Sequence, residues 1–411
     1  MRKKYFNIKI TLERLHENKM KTLVPFFCIL IFILLTGAIA SDMYVPSLPH
    51  IAQYFQVSDY LAKLTVSLYM LGFGFGQLIW GPLSDSYGRK KILIIGISLG
   101  FIGSLFCVLA QHIDTLLLGR LIQGLGVACS LTLVRSMIRD VLKGEMLSKL
   151  LAYLSLIFGM IPAIAPIIGS YIEYYFDWRA VFYVLTVYMV FVVVMVIIFL
   201  PETVARKHIQ PFKIKQICID YVNTFKHAQF LSCAITAGAC ISGILAYVAI
   251  SPFLFQSVLG LSVINYGWLT IFIMLVMLLG RGGNVIFLKR STSFQAMKIG
   301  RILMLLGGLL MLVTYVLHLF SVAAILIPYL IFLLGTGFIF SNASLIAFTV
   351  FDAKFGIVSA LYSFLQLFCG YISSYIAAHV TTDTQLPLAL ILTGLAIAAI
   401  ISAKFIKQED S

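Results

Sequence analysis

Long apolar segments alternate with short polar ones along the whole chain. Dividing the sequence at the polar interruptions gives twelve apolar segments, each about as long as a helix needs to cross a bilayer. The alternation typical of barrel strands is absent, and lipid offers backbone amides no partners, so the segments are predicted to be helices. Their predicted bounds are 23–41, 60–82, 92–110, 114–138, 147–171, 179–200, 228–255, 265–288, 300–319, 322–350, 357–380 and 386–406.

The longest polar segment, residues 201–227, has six apolar segments on each side. This position predicts an all-α integral membrane protein built from two six-helix bundles. The predicted units are an N-terminal tail 1–22, a first bundle 23–200, a central loop 201–227, a second bundle 228–406 and a C-terminal tail 407–411.

A weak internal repeat supports the two bundles. Gly124 and Gly126 in the fourth segment are matched by Gly335 and Gly337 in the tenth, 211 residues further on. Two parallel repeats of six spans are a pattern found in secondary transporters. The repeat therefore favours two pseudo-symmetric halves.

Composition and charge agree with a membrane location. Only 11% of the 411 residues are charged, against roughly 25% in soluble domains. Most of the 30 lysines and arginines fall in loops on one side of the predicted membrane, whereas Arg179 lies at the other side. Basic residues collect in cytoplasmic loops, so both termini are predicted to be cytoplasmic. The net charge of +14 therefore indicates membrane orientation and not nucleic-acid binding.

The first segment resembles a secretory signal, because a basic start and an apolar run lead to Ala38-Ile39-Ala40. Residues 23–40 are longer than the usual apolar core of such a signal, so an uncleaved first helix is expected. The seven cysteines form no CxxC pair, and neither a metal site nor a disulfide framework is predicted. The sequence contains no phosphate-binding loop, so we expect no cofactor and no ATP-driven cycle.

Two charged residues at or inside apolar segments are candidates for chemistry. Asp42 ends the first segment, where desolvation favours the protonated carboxyl and a nearby cation favours the ionised one. It could carry a proton, or it could be an ordinary solvated acid at a helix end. Arg120 lies several residues inside the fourth segment, with Gln123 three residues further on the same helix face. A functional arginine facing a cavity is favoured over one that reaches the interface.

The fifth segment combines prolines with glycines. Gly159, Pro162, Pro166 and Gly169 predict a bent helix or a close helix contact. Aromatic residues of the interior are candidates for an adaptable binding pocket, although any one of them could be ordinary packing. The predicted substrate-binding residues are Tyr44, Tyr69, Gln123, Tyr153, Phe158, Tyr247, Phe253, Tyr362 and Phe364.

The sequence between the second and third segments, GPLSDSYGRKK, resembles the G-x-L-x-D-x-x-G-R-K/R signature of the major facilitator superfamily. The matching residues are Gly81, Leu83, Asp85, Gly88, Arg89 and Lys90. Arg120 with Gln123 and Gly124 is similar to the R-x-x-Q-G motif of the same family. The segment APIIGS at 165–170 resembles the antiporter motif G-P-x-x-G-G, with Ala165 and Ser170 in place of two glycines. The segment DMYVPSLP from Asp42 is similar to that of bicyclomycin/chloramphenicol-resistance exporters.

The resemblance implies a proton-coupled exporter of drugs or small amphipathic molecules in the bacterial inner membrane, working by alternating access as a monomer. Asp42 would carry the proton and Arg120 would be its electrostatic partner. Gly81, Asp85, Gly88, Arg89 and Asp140 would form a cytoplasmic latch, with Asp85 near the start of the eleventh span and Arg89 paired with Asp140.

Other functions stay open at this point. Within transport, the chain could export one metabolite such as a siderophore, or take up a substrate by proton symport. A lipid-modifying membrane enzyme would need a cluster of catalytic groups at one membrane face, and a channel would need a filter repeat. The sequence shows neither, so a transporter and not an enzyme is expected.

Overall fold

The computed structural model of the chain describes residues 25–142, 144–204, 212–351 and 355–406. In these ranges the chain is helical and contains no strand. Helix α1 covers residues 25–42 and is followed by a 3₁₀ turn at Val45–Ser47. The remaining helices are α2 (Leu48–Phe55), α3 (Asp59–Tyr87), α4 (Arg89–Val108), α5 (Ile113–Val141), α6 (Gly144–Tyr175), α7 (Trp178–Phe199), α8 (Ile214–Phe225), α9 (Ala228–Pro252), α10 (Val263–Phe287), α11 (Ser293–Val316), α12 (Val322–Thr349), α13 (Phe355–His379) and α14 (Leu386–Ser402).

Eleven of the described helical stretches are long and apolar enough to cross a membrane. The first of them, Pro25–Phe55, joins α1 to α2. The predicted fifth segment is helical as expected, because α6 runs over 32 residues, but it is not among the eleven. An all-α, multi-pass membrane protein is thus confirmed, whereas the count of twelve spans stays a prediction.

The two halves of the chain pack their helices in the same pattern. Before the central segment, α5 packs against α3 and α4, and α4 also packs against α7. After it, α12 packs against α10 and α11, and α11 also packs against α14. The halves meet along two seams, one between α3 and α13 and the other between α6 and α10.

The glycines of the repeat allow close helix packing in both halves, but with exchanged partners. A Cβ on Gly124 would lie 2.1 Å from a carbonyl oxygen of α3, and one on Gly126 would lie 2.2 Å from a backbone nitrogen of α4. In the second half, Gly335 approaches α11, the counterpart of α4, and Gly337 approaches α10, the counterpart of α3. Glycines that are 211 residues apart in the sequence repeat therefore do not approach equivalent helices in the two halves.

The central segment, predicted as a loop, contains the 12-residue helix α8. The Tyr221 hydroxyl donates a hydrogen bond to the carbonyl oxygen of Leu78 on α3, at 3.0 Å. Burial raises the pKa of Tyr221, so the hydroxyl stays protonated and able to donate. We name the end of the molecule with α8 and the α3–α4 turn the inner end, and the opposite end, with α2 and residues 380–385, the outer end.

Candidate functional site

Arg120 is a fully buried guanidinium held between two aromatic rings. Its carbon Cζ lies 4.0 Å from the centre of the Tyr44 ring and 4.2 Å from that of Tyr69. A desolvated cation–π contact contributes about 2 kcal/mol or more. The two rings therefore offset part of the cost of placing a cation inside α5.

Hydrogen bonds fix the orientation of the same guanidinium. Arg120 Nη1 donates to the carbonyl oxygen of Ala40, at 2.9 Å, and to Gln123 Oε1. Gln123 Nε2 in turn donates to Ser104 Oγ on α4, at 2.6 Å. In the described part of the chain no carboxylate forms an ion pair with Arg120, so its charge is balanced by ring faces and amide oxygens.

Asp42 lies two residues beyond the carbonyl that Arg120 binds. Its side chain is half-buried at the end of α1, and its Oδ1 accepts a hydrogen bond from Ser41 Oγ at 2.7 Å. The carboxylate is within electrostatic range of Arg120 and also of Tyr266 on α10, in the other half of the molecule. The acid thus lies where the two halves meet, without a direct salt bridge.

The predicted substrate-binding aromatics fall into separate places. Tyr44 and Tyr69 hold Arg120, and Gln123 belongs to its hydrogen-bond network. Tyr247 is buried and stacked on Tyr329, with 3.7 Å between ring centres. Phe253 and Tyr362 are also buried, Phe364 lies at the α3–α13 seam, Tyr153 is exposed, and the side chain of Phe158 lies outside the described residues. A single pocket lined by all of them stays a prediction.

Helix α6 carries the predicted proline and glycine motif without a break. Pro162 and Pro166 lie inside the helix. A Cβ on Gly169 would be 1.7 Å from the carbonyl oxygen of Met43, and one on Gly159 would be 2.5 Å from the guanidinium of Arg281 on α10. The motif therefore allows α6 to pack closely on the end of α1 and on the other half.

Side-chain donors connect the halves at the outer end. Lys63 on α3 is buried, and its Nζ donates to the carbonyl oxygen of Val380, at 3.0 Å. Gln256 Nε2 donates to the carbonyl oxygen of Pro46, at 2.9 Å. These contacts close the outer end in this conformation. The Lys63 contact could not be predicted from the sequence, because the two partners are 317 positions apart.

Replacing Lys63 by methionine is expected to loosen the outer end, because the apolar side chain keeps the volume but loses the donor. Spin labels on the exposed positions Gln56 and Asp383 would then report a longer or broader distance distribution in pulsed electron resonance. Lys298→Met, an exposed lysine at the inner end, is the matched control and should leave the distribution unchanged. Identical distributions in wild type and Lys63→Met would contradict the role of Lys63 in closure.

A charged cluster occupies the turn between α3 and α4 at the inner end. Arg89 Nη1 lies 2.5 Å from Asp85 Oδ1, and Arg89 Nε lies 3.1 Å from Asp140 Oδ2 at the end of α5. Arg89 Nη1 also donates to Ser84 Oγ, at 2.6 Å. The pairing of Arg89 with Asp140 is the one implied by the sequence motif. The expected approach of Asp85 to the start of the eleventh span stays a prediction, and residues 352–354, which precede α13, lie outside the described residues.

Glu202 completes this cluster, and sequence reasoning missed it. Its carboxylate accepts the backbone N–H groups of Arg89 at 2.9 Å and Lys90 at 3.1 Å, at the start of α4. A carboxylate at a helix N-terminus is stabilised by free N–H groups and the helix dipole. Gly88 has a φ of +94°, a conformation that favours glycine, and a Cβ there would lie 2.7 Å from the carboxylate. This explains the glycine of the motif.

Asp85→Asn is expected to lower transport turnover severalfold and leave the range of bound substrates unchanged, because it weakens the ion pair with Arg89 far from Asp42. The measurement is initial transport rate and substrate affinity in proteoliposomes. Asp177→Asn, which changes an exposed acid capping α7 at the outer end, serves as the control. An altered substrate profile at normal turnover would instead mean that this cluster contacts the cargo.

The sequence matches the profile of the Major Facilitator Superfamily over residues 30–374. It is 29% identical to an uncharacterized MFS-type transporter, YdgK, of Bacillus subtilis, over 92% of this chain and 94% of that protein. It is 25% identical to a bicyclomycin resistance protein homolog of Haemophilus influenzae, over 92% of this chain and 97% of that protein. Multidrug resistance protein D of Escherichia coli is 24% identical, over 90% and 92%.

Solved transporter structures share the fold at low sequence identity. A partially occluded inward-open structure of the xylose transporter XylE from E. coli superposes with a TM-score of 0.74 and 14% identity, over 95% of this chain and 99% of that one. A peptide transporter in complex with sulfate gives a TM-score of 0.75 and 14% identity, over 92% and 93%.

Proposed function

The chain belongs to the major facilitator superfamily and is a transporter and not an enzyme, and from this premise we propose that it exports drugs or other small amphipathic molecules in exchange for protons. The names of its relatives, which include bicyclomycin and multidrug resistance proteins, support drug efflux as the activity. The similarity extends over nine-tenths of the chain.

One arrangement carries the proposal of proton coupling. Asp42 is half-buried at the junction of the halves, and the buried Arg120 lies close to it and forms no ion pair with any carboxylate among the described residues. A cation held nearby favours the ionised carboxylate, while a drier environment favours the protonated one. A conformational change that alters water access to Asp42 would therefore load or release a proton.

Alternating access follows from the two seams between the halves. In this proposal the halves are two six-helix bundles with twelve spans in total, and both termini lie in the cytoplasm of a bacterium. The outer end then faces the periplasm and is closed by Lys63 and Gln256. In the opposite state, Asp85 of the Arg89 cluster would contact the start of the eleventh span and hold the inner end closed. A substrate moves the equilibrium only as far as its affinities for the two states differ.

The deciding experiment follows proton movement during transport by the purified protein in proteoliposomes. With a pH-sensitive dye inside the vesicles, adding a transported drug should drive protons in the direction opposite to the drug. A panel of cationic, neutral and anionic drugs defines the substrate range. Transport without proton movement would exclude coupling, and protons moving together with the substrate would indicate symport.

Uptake by proton symport is the second candidate. The antiporter motif departs from its pattern at Ala165 and Ser170, and a Cβ on Gly267 of α10 would lie 2.3 Å from Ser170 Oγ. Ser170 thus replaces a glycine of the motif at the α6–α10 seam, where the two halves move against each other during transport. Export of one metabolite, such as a siderophore, is distinguished from drug export by the same panel, because a dedicated exporter would transport none of these drugs.

A further inference from the structure

The central helix α8 has an exposed face that none of the described helices covers. Ile214, Lys215, Cys218, Ile219, Val222 and Phe225 recur at helical spacing and are all exposed. We name these six residues the lysine–apolar face. Its apolar side chains are well exposed: Ile214 is 65% exposed and Val222 is 53% exposed. The opposite side of α8, with Asp220 and Thr224, is buried against the protein.

Both ends of α8 lie at the ends of predicted spans. Phe212, just before the helix, has its ring centre 6.4 Å from that of Tyr87, the last residue of α3. At its other end, α8 is followed within three residues by α9, which starts at Ala228. A helix of 12 residues is about 18 Å long. Since α3 ends and α9 begins at the inner end, both ends of α8 lie at the level of these span ends.

The position and the charge of α8 together indicate which kind of partner its exposed face fits. The lysine–apolar face combines apolar side chains with Lys215. The exposed Lys213 and Lys226 flank the helix. Asp220, the one acid of α8, is on the buried side, where Gln216 donates to its carboxylate at 3.0 Å. A helix with apolar and basic residues on one surface lies in the headgroup region of a bilayer and is attracted by anionic lipids. A soluble partner would not require a location at the level of the span ends.

We propose that the lysine–apolar face of α8 docks on the anionic headgroup surface of the cytoplasmic leaflet, beside the α3–α13 seam. The orientation rests on the membrane topology proposed above, but not on the substrate or on proton coupling. Tyr221 connects α8 to α3 through its bond to Leu78, and α8 also packs against α13. Docked lipid therefore anchors a helix that touches both sides of the moving seam.

The test uses Cys218, an exposed cysteine on the face, as a site for an environment-sensitive fluorophore. Cys28, also exposed, is replaced by serine, and the other cysteines are buried or partly buried. The full-length protein is placed in nanodiscs of phosphatidylcholine with or without phosphatidylglycerol. With the anionic lipid, headgroup spin labels should quench the probe and aqueous iodide should not. If iodide quenches the probe equally in both kinds of nanodisc and in detergent, the face does not contact lipid and the proposal is overturned. The face would then be open to a soluble partner or a second copy.

Charge variants separate docking from a general effect of net charge. Replacing Lys213, Lys215 and Lys226 by glutamine should weaken the anionic-lipid dependence by about fivefold per lysine. The control changes Lys289, Arg290 and Lys298, exposed bases of another inner loop, to glutamine and should keep the dependence. Equal losses in both triple variants overturn the proposal. Ile219→Glu with Val222→Glu should undock the face even with all lysines present, and a probe still quenched by the headgroup label would contradict this expectation.

Discussion

Replacing Asp42 by asparagine is expected to abolish transport driven by a pH gradient, while binding of the substrate persists. Asparagine has nearly the same shape and can still accept the Ser41 hydrogen bond, but it cannot take up a proton. The loss should therefore appear in coupling and not in folding. The measurement compares gradient-driven substrate flux in proteoliposomes with substrate binding by the same purified protein, and flux should fall to the level of protein-free vesicles.

The control for this variant is Asp114→Asn. Asp114 is an exposed acid in the first turn of α5, also at the outer end, so its change removes the same charge at an exposed position. It should leave both flux and binding unaltered. Full gradient-driven transport by Asp42→Asn would remove Asp42 from the mechanism, whereas loss of binding together with flux would indicate a role in recognising the substrate.

Arg120→Met is expected to have the largest combined effect, lowering both stability and transport. It removes the cation from between Tyr44 and Tyr69 and leaves Gln123 Oε1 and the carbonyl oxygen of Ala40 without their buried donor. Each unsatisfied buried group costs about 1–3 kcal/mol. Arg120→Lys should recover part of the transport, because an ammonium keeps the charge but cannot reproduce the flat stacking. Thermal unfolding and flux are measured on both variants.

Arg179 offers a matched comparison within the chain. Its guanidinium also lies over two rings, 4.2 Å from Tyr54 and 4.4 Å from Trp178, and donates to the carbonyl oxygen of Ala110 at 2.8 Å. It differs in being partly exposed at the outer end. Arg179→Met should therefore lower the unfolding temperature and retain coupled transport. If both methionine variants lose the same fraction of transport, the role of Arg120 is structural only.

The helices could be predicted closely from sequence, because in lipid the apolar length of a segment largely determines its bounds. The predicted segment 179–200 illustrates this, since it is observed as the helix Trp178–Phe199. Helix α8 escaped prediction because it does not cross the membrane, and its amphipathic character is hidden in a polar segment. The exchanged partners of Gly124 and Gly126 show a further limit. A repeat in sequence does not specify which neighbouring helix each residue approaches.

The site could be predicted in part. Asp42, Arg120 and Arg89 are noticeable in sequence because a charge in an apolar or motif context needs an explanation. Tyr44 and Tyr69 are among the predicted substrate-binding residues, but their place on either side of Arg120 depends on how α1 and α3 pack on α5. Lys63 and Glu202 were missed for the same reason, since each contacts residues that are far away in sequence.

The contacts across the two seams have an evolutionary consequence. Lys63 and Gln256 donate to backbone carbonyls at the outer end, and Thr270 donates to the carbonyl oxygen of Ala163 between α10 and α6. Every residue type supplies such an oxygen, so the accepting positions are free to drift while the donors are constrained. Substitutions at the accepting positions can then accumulate without loss of the contacts that hold the two halves in register.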